Sequence, residues 1–232
     1  MESKKRQKKK SREDYTEEAY LGIRRMFFRN EIIPGQKIAY GDLARRLEMS
    51  TTPVIQALKR LEFQGLVRHE PNKGYYTESI SIKEIGEIYE FRELIELSLL
   101  PKTIARMTQG RLKKLKKALD KHRMALRDIY LKERLLRDME FHLLLAELSG
   151  CHVQVKTLRS LFDILYLKYR GNILFVTPMD EVDLEHQTLY DAIAGSDAET
   201  AQDVLQKHIL NVRDHALASI KKLEREKKLQ RI

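Results

Sequence analysis

The chain has 232 residues, 42% of them apolar, which is enough for two modest domains with real cores. Its single cysteine, Cys151, excludes an internal disulfide and fits a reducing cytoplasm, and no apolar run is long enough to span a bilayer, so no membrane partner is expected. The formal net charge of +10 sits at the ends: the first twelve residues hold seven Lys/Arg against one Glu, the last twelve hold six against two, and the residues between balance.

Residues 1–12, beginning MESKKRQKKK, have no apolar segment behind them and read as a disordered basic arm rather than a signal peptide. Such an arm either adds salt-sensitive phosphate contacts or serves only solubility. From Ile38 to Tyr76 the pattern is a short helix, a turn, a second helix and a hairpin, the layout of a winged helix-turn-helix. Asp42-Leu43-Ala44 opens the first helix. Met49 to Pro53 interrupts it, with Ser or Thr as N-cap and Pro in the first turn of the next helix. That second helix is expected from about Pro53 to Gln64, with Gly65 as its stop. Val54, Leu58 and Leu61 share an inward face, and Thr52, Gln56 and Lys59 an outward one. Leu66 to His69 and Tyr75 to Thr77 form the wing, turned at Pro71 to Gly74.

A short linker, Thr77–Ser81, leads into a stretch that is helical throughout. Six helices are expected, about Ile82–Met107, Arg111–Arg127, Leu131–Ser149, Val153–Tyr169, Glu181–Ala194 and Asp197–Leu229. Pro101 should kink or split the first. Asn172 to Pro178 reads as a loop, and Gly195-Ser196-Asp197 joins a helix stop to an N-cap. Leu94, Leu143, Leu161 and Ile193 are read as core. The fold class is therefore mainly α: a winged helix-turn-helix over 13–78 and an all-α bundle over 79–232.

Asp138 and His142 lie four apart, so they project from one face of their helix. His186 and His208 sit on the last two helices. Imidazoles with one carboxylate suit a divalent transition metal, and a bundle core can gather them from different helices. By spacing alone, a surface hydrogen bond between Asp138 and His142 fits as well. The remaining histidines, His69, His122, His152 and His215, have no such context.

The words IPGQKI, DLARRLEMS, TPVIQALKRLEFQGLV and PNKGYY closely resemble the N-terminal domain of the GntR family of bacterial transcription regulators, from about Ala19 to Glu78. The resemblance implies a dimeric repressor or activator whose second helix reads the major groove of an operator. Many members carry arginines where this chain has Gly41, Thr51 and Ile55, and Glu where it has Gln56. Arg is the residue best suited to grip guanine. Thr51, Thr52, Ile55, Gln56 and Lys59 are therefore the candidates to read adenine edges or thymine methyls, with Arg45, Arg46, Arg60 and Lys73 on phosphates. For Ile55 the alternative is simple packing.

RDMEFHLLLAELSG, EHQTLYDAIAGSDAETA and QKHI resemble the FCD effector domain of the FadR-type branch, over roughly residues 82–218, with six helices as in the VanR-like subgroup. Many FCD domains bind a metal through an Asp and three His, which fall here on Asp138, His142, His186 and His208. Zinc or nickel is the expected ion. Cys151 stands near a usual Asn. FRELIELS is similar to the family's Arg-x-x-Leu-Glu segment, with Ile95 for Leu. That makes Arg92 the candidate clamp on a small carboxylate effector, against a simple Arg92–Glu96 pair. The resemblance implies a cytoplasmic homodimeric regulator, a repressor released by its effector. A metal-dependent enzyme and a metal-stabilised scaffold are the alternatives. Against the enzyme, no HExxH and no Gly-rich phosphate loop is present.

Overall fold

The computed structural model describes residues 11–79, 81–126, 131–169 and 177–229. The chain divides into two compact units, Met1–Ile80 and Ser81–Ile232. Most of the basic arm, residues 1–10, lies outside the described residues, and Ser11 and Arg12 open the first helix. Among the described residues no helix is long and apolar enough to cross a membrane.

The first unit begins with α1 (Arg12–Phe28). Ser11 caps it reciprocally: its hydroxyl accepts the Asp14 N–H at 3.1 Å, and the Asp14 carboxylate accepts the Ser11 N–H at 2.7 Å. There follow β1 (Lys37–Ile38), α2 (Tyr40–Arg46), α3 (Thr51–Phe63), β2 (Val67–Glu70) and β3 (Gly74–Thr77). The sheet is antiparallel in the order β1-β3-β2, with Arg68 and Lys37 both opposite Tyr76. Helix α3 buries Val54, Ala57, Leu58 and Leu61, the spacing of one helical face, against α1, α2 and β2. It starts at Thr51, two residues before the expected Pro53, because Pro53 sits within its first turn.

Helix α3 ends where Gly65 was expected to stop it. The Leu66 N–H reaches back to Leu61 O at 3.0 Å and the Gly65 N–H to Glu62 O at 2.9 Å, with Gly65 at φ 71°. This pair of bonds needs a left-handed residue. The wing turns on Asn72 (φ 62°) and Gly74 (φ 99°), closed by Lys73 N–H to Glu70 O at 3.0 Å. Thr77 belongs to the sheet and not to the linker. Its hydroxyl donates to Ile33 O at 2.6 Å and accepts the Gln36 N–H at 2.8 Å.

The second unit presents, among its described residues, six helices and no strand: α4 (Ile82–Ala105), α5 (Gln109–Leu126), α6 (Leu131–Leu148), α7 (His152–Ile164), α8 (Met179–Ala194) and α9 (Ala198–Leu229). A π-helical turn, Leu165–Tyr169, continues α7. Helix α4 packs on α6, α7 and α9, α5 packs on α6 and α8, and α8 packs on α9. The expected loop residues 172–176 lie outside the described residues, and Thr177 and Pro178 lead into α8.

Pro101 was expected to kink or split α4; the split does not occur, and the helix runs unbroken to Ala105. Its buried stripe continues past the proline to Thr103, whose hydroxyl donates to Leu99 O and, across to α6, to Leu145 O. Tertiary packing outweighs a local cost of about 3 kcal/mol. Leu94 is not core but 68% exposed, because it falls outside the stripe of Ile85, Ile88, Tyr89, Arg92, Ile95, Glu96, Leu99 and Leu100. Leu143 and Ile193 are buried as expected, and Leu161 only half so. At the α8–α9 junction the left-handed residue is Ser196 (φ 60°), and Asp197 caps α9 by accepting the Thr200 N–H at 3.0 Å. Gly150 (φ 73°) closes α6, and a Cβ there would collide with the Arg106 guanidinium that bonds Ser149 O.

A Cβ at Gly65 would meet nothing within 4 Å, so Gly65→Ala carries only the cost of a left-handed alanine, roughly 1 kcal/mol. Denaturant unfolding of the variant should show an unfolding free energy lower by about that amount, read as a lower midpoint with an unchanged slope.

Candidate metal centre and nucleic-acid interface

The core of the second unit gathers four side chains from three helices. Asp138 and His142 come from α6, His186 from α8 and His208 from α9, all buried. One ligand atom from each lies within 4.8 Å of all the others. The Asp138 Oδ1 is 3.3 Å from His186 Nε2, 3.7 Å from His142 Nε2 and 3.9 Å from His208 Nε2. His142 and His208 Nε2 are 3.3 Å apart. Donors about 2.1 Å from a shared ion lie at most about 4.2 Å apart, so an ion would draw the set inward by a few tenths of an ångström.

The outer nitrogens explain why the Nε2 atoms face inward. His142 Nδ1 donates to Glu96 Oε2 at 2.6 Å, His208 Nδ1 to Glu185 Oε2 at 2.8 Å and His186 Nδ1 to Val182 O at 2.8 Å. Each of these fixes one tautomer, with the Nε2 lone pair pointed at the shared space. The supports are themselves held. Arg92 Nε donates to Glu96 Oε1 at 2.9 Å, and Asn211 Nδ2 donates to Glu185 Oε1 at 3.1 Å. His186 Nε2 is buried without a partner. An orphaned lone pair facing a carboxylate and two further lone pairs is the donor chemistry of a divalent cation site.

Electrostatics agree. Burial opposes ionisation of Asp138, but the neighbouring His142, His186 and His208 hold its pKa well below the ordinary carboxylate range. Burial likewise opposes ionisation of Glu96, and His142 and Arg92 outweigh it, bringing that carboxyl down to about 2. Burial, with His186 and His142 nearby, lowers His208 well below an ordinary imidazole. The unprotonated state is the one a metal needs.

Sequence reasoning set His122 aside, yet the structure brings it here. It stands on α5 with no exposed surface, its ring 4.2 Å from that of His186 and its Nε2 3.7 Å from Asp138 Oδ1. The signal lay in its spacing, since His122 continues the buried stripe of Leu115 and Leu119 and precedes Ala125. Glu185 and Asn211 were missed too.

Arg92 is 2% exposed and makes the pair with Glu96 that was its simpler reading. The guanidinium lies 4.4 Å from the Phe162 ring centre, and its Nη2 has no partner. Beside it is a cavity of about 10 Å³, also lined by Tyr89, Asp138, Leu165 and Thr177. Thr177 Oγ1 is buried and unpartnered as well. That volume is near the lower bound for one water.

In the first unit, α3 presents Thr51, Thr52, Gln56 and Lys59 to solvent, and Ile55 is half-buried. Arg45 pairs with Asp42 and Arg46 with Glu31. Arg60 pairs with Glu17 at 2.5 Å and stacks 3.7 Å above Tyr20. Lys73, at the wing tip, is 3.4 Å from Glu70. Exposed pairs of this kind are worth about 0–1 kcal/mol, so exchanging their carboxylates for phosphates costs little.

Comparison with known proteins agrees with both halves. The family described as "Bacterial regulatory proteins, gntR family" matches residues 15–76, and "FCD domain" matches residues 87–211. The HTH-type transcriptional repressor RspR of Escherichia coli is 21% identical over 196 residues, covering 84% of this chain and 86% of RspR. The repressor GlaR of the same organism is 25% identical over 206 residues, covering 83% and 91%. Among solved structures, E. coli McbR/YncC superposes with a TM-score of 0.76 at 17% identity, covering 90% of this chain and 98% of that one. The chain therefore belongs to the gntR family of bacterial regulatory proteins, in the branch with an FCD domain, and is a DNA-binding transcriptional regulator, not an enzyme.

Proposed function

We propose that the protein is a dimeric repressor that releases its operator when a small carboxylate binds beside a divalent metal, zinc or nickel, held by Asp138, His142, His186 and His208. The observation that carries this reading is the buried convergence of three Nε2 lone pairs on the Asp138 carboxylate, next to an unpartnered Arg92 Nη2 and Thr177 Oγ1. The repressor sense is taken from the relatives named as repressors.

The four ligands hold the ion, which when bound supplies positive charge to attract an anion. Arg92 orients the carboxylate through the guanidinium edge that Glu96 leaves open, and the Thr177 hydroxyl donates a further bond. A cavity of about 10 Å³ does not admit a carboxylate as it stands. Binding must therefore displace the wall, part of which is the π-helical turn at Leu165, a feature common at functional sites. A ligand that favours the opened form shifts the protein toward it. The tightness of the same cavity favours a second reading, a metal-stabilised scaffold without an effector. Calorimetric titration with mono-, di- and tricarboxylates separates the two.

Operator contact is assigned to Thr51, Thr52, Ile55, Gln56 and Lys59 on bases and to Arg45, Arg46, Arg60 and Lys73 on phosphates. Gln56→Ala should relax base preference. Lys73→Ala should weaken all sequences alike and reduce the salt slope by about 1. Footprinting and salt titrations check both, and equal losses of specificity in the two variants would reverse the assignment.

Purified protein should carry about one divalent ion per chain. His208→Ala should lower that content. With metal at 1,000 times its Kd, the variant should also forfeit about 4 kcal/mol of stabilisation, roughly 8–16 °C in Tm. Arg92→Lys should keep the ion and weaken the carboxylate isotherm, because lysine lacks the planar fork. Elemental analysis, melting curves and calorimetry read these out, and equal metal content in His208→Ala removes the metal site.

A further inference from the structure

Of the four buried histidines, His122 is the one outside the proposed ligand set. Both its ring nitrogens lack a hydrogen-bond partner. Burying two polar atoms unpaired is unfavourable, and native cores keep such groups where something uses them. An apolar side chain at this point of the α5 stripe would pack without that cost.

Asp138 has the complementary deficit. Each imidazole of the set is braced from outside, His142 by Glu96, His208 by Glu185 and His186 by the Val182 carbonyl. Among the described residues no group other than the histidines approaches Asp138 as a hydrogen-bond donor, so it is the one member of the set without a brace. Ligating carboxylates are ordinarily hydrogen-bonded in their turn. The His122 Nε2 lies 3.7 Å from Asp138 Oδ1, about half an ångström beyond hydrogen-bond reach, with its ring laid against that of His186. Its nitrogens fall outside the set of atoms that lie within 4.8 Å of one another, which argues against direct ligation.

We infer that His122 is a positioning residue for the metal centre, donating its Nε2–H to the Asp138 carboxylate and holding that oxygen toward the ion. The inference rests on the metal reading above. It gives His122 the opposite tautomer from the ligands: the proton sits on Nε2 in His122 and on Nδ1 in His142, His186 and His208.

The test uses the full chain loaded with zinc or cobalt(II). In the zinc protein, ¹⁵N–¹H correlation of the imidazoles should find His122 as the Nε2–H tautomer, and an Nδ1–H tautomer overturns the inference without any variant. Chelator competition should show zinc affinity falling about 10–100-fold in His122→Met. In His122→Gln, whose amide can still donate, affinity should stay closer to wild type. X-ray absorption at the cobalt edge should show the same three imidazoles in the metal shell of wild type and both variants. A fourth imidazole that is lost in His122→Met makes His122 a ligand and overturns its positioning role. Wild-type affinity in His122→Met sinks this inference alone, whereas a wild-type protein that binds no metal sinks the metal reading with it.

Discussion

Three hydrogen bonds at the outer nitrogens of His142, His186 and His208 govern the core of the second unit. Because Glu96, Glu185 and the Val182 carbonyl each take an Nδ1 proton, three lone pairs are forced to face one another and the Asp138 carboxylate. Nothing in an apolar core recommends such an arrangement. A cation would make it favourable, and the helices that carry the four side chains and their braces would then act as one unit. Folding and metal binding are coupled on this account, since the unfolded chain has no such constellation.

The same hydrogen bonds tie the centre to the neighbouring cavity. Arg92, Glu96 and His142 form a buried chain in which the guanidinium braces the carboxylate that braces the imidazole. Removing one member of a buried ion pair leaves the other uncompensated, a loss of about 3–5 kcal/mol. Arg92 therefore has a structural duty as well as the proposed effector role, and a truncation there reads both at once. Its position also gives a physical route for coupling: an anion on the free edge of the guanidinium competes for charge with Glu96, and so bears on His142. By linkage, a ligand that lowers DNA affinity must itself bind more weakly when DNA is present.

Much of this was legible in the chain. Helix boundaries follow from caps and breakers such as Gly65 and Asp197, whose effects are local, whereas the cap at Ser11 went unread because that residue was assigned to the basic arm. The i,i+4 pair Asp138/His142 is likewise local; His186 and His208 stood out as imidazoles on the last two helices, and the words around them, which resemble the FCD domain, joined them to that pair. What the sequence hid was long-range. Glu96 and His142 are 46 residues apart and Glu185 and His208 are 23 apart, so no periodicity links them. His122 looked like one more histidine in a charged helix, until its place in the stripe with Leu115 and Leu119 put it inside. Leu94 misled in the opposite direction, because hydrophobicity alone does not say which face of α4 is covered. Pro101 does not break α4, because packing holds the helix continuous through it.

The most direct test of the central claim is X-ray absorption at the metal edge of the protein as purified. The account predicts a light-atom shell near 2.0–2.2 Å, with the outer-shell scattering of about three imidazoles and one oxygen donor from Asp138. An all-oxygen shell without imidazole scattering, or protein that carries no metal after loading, would contradict it.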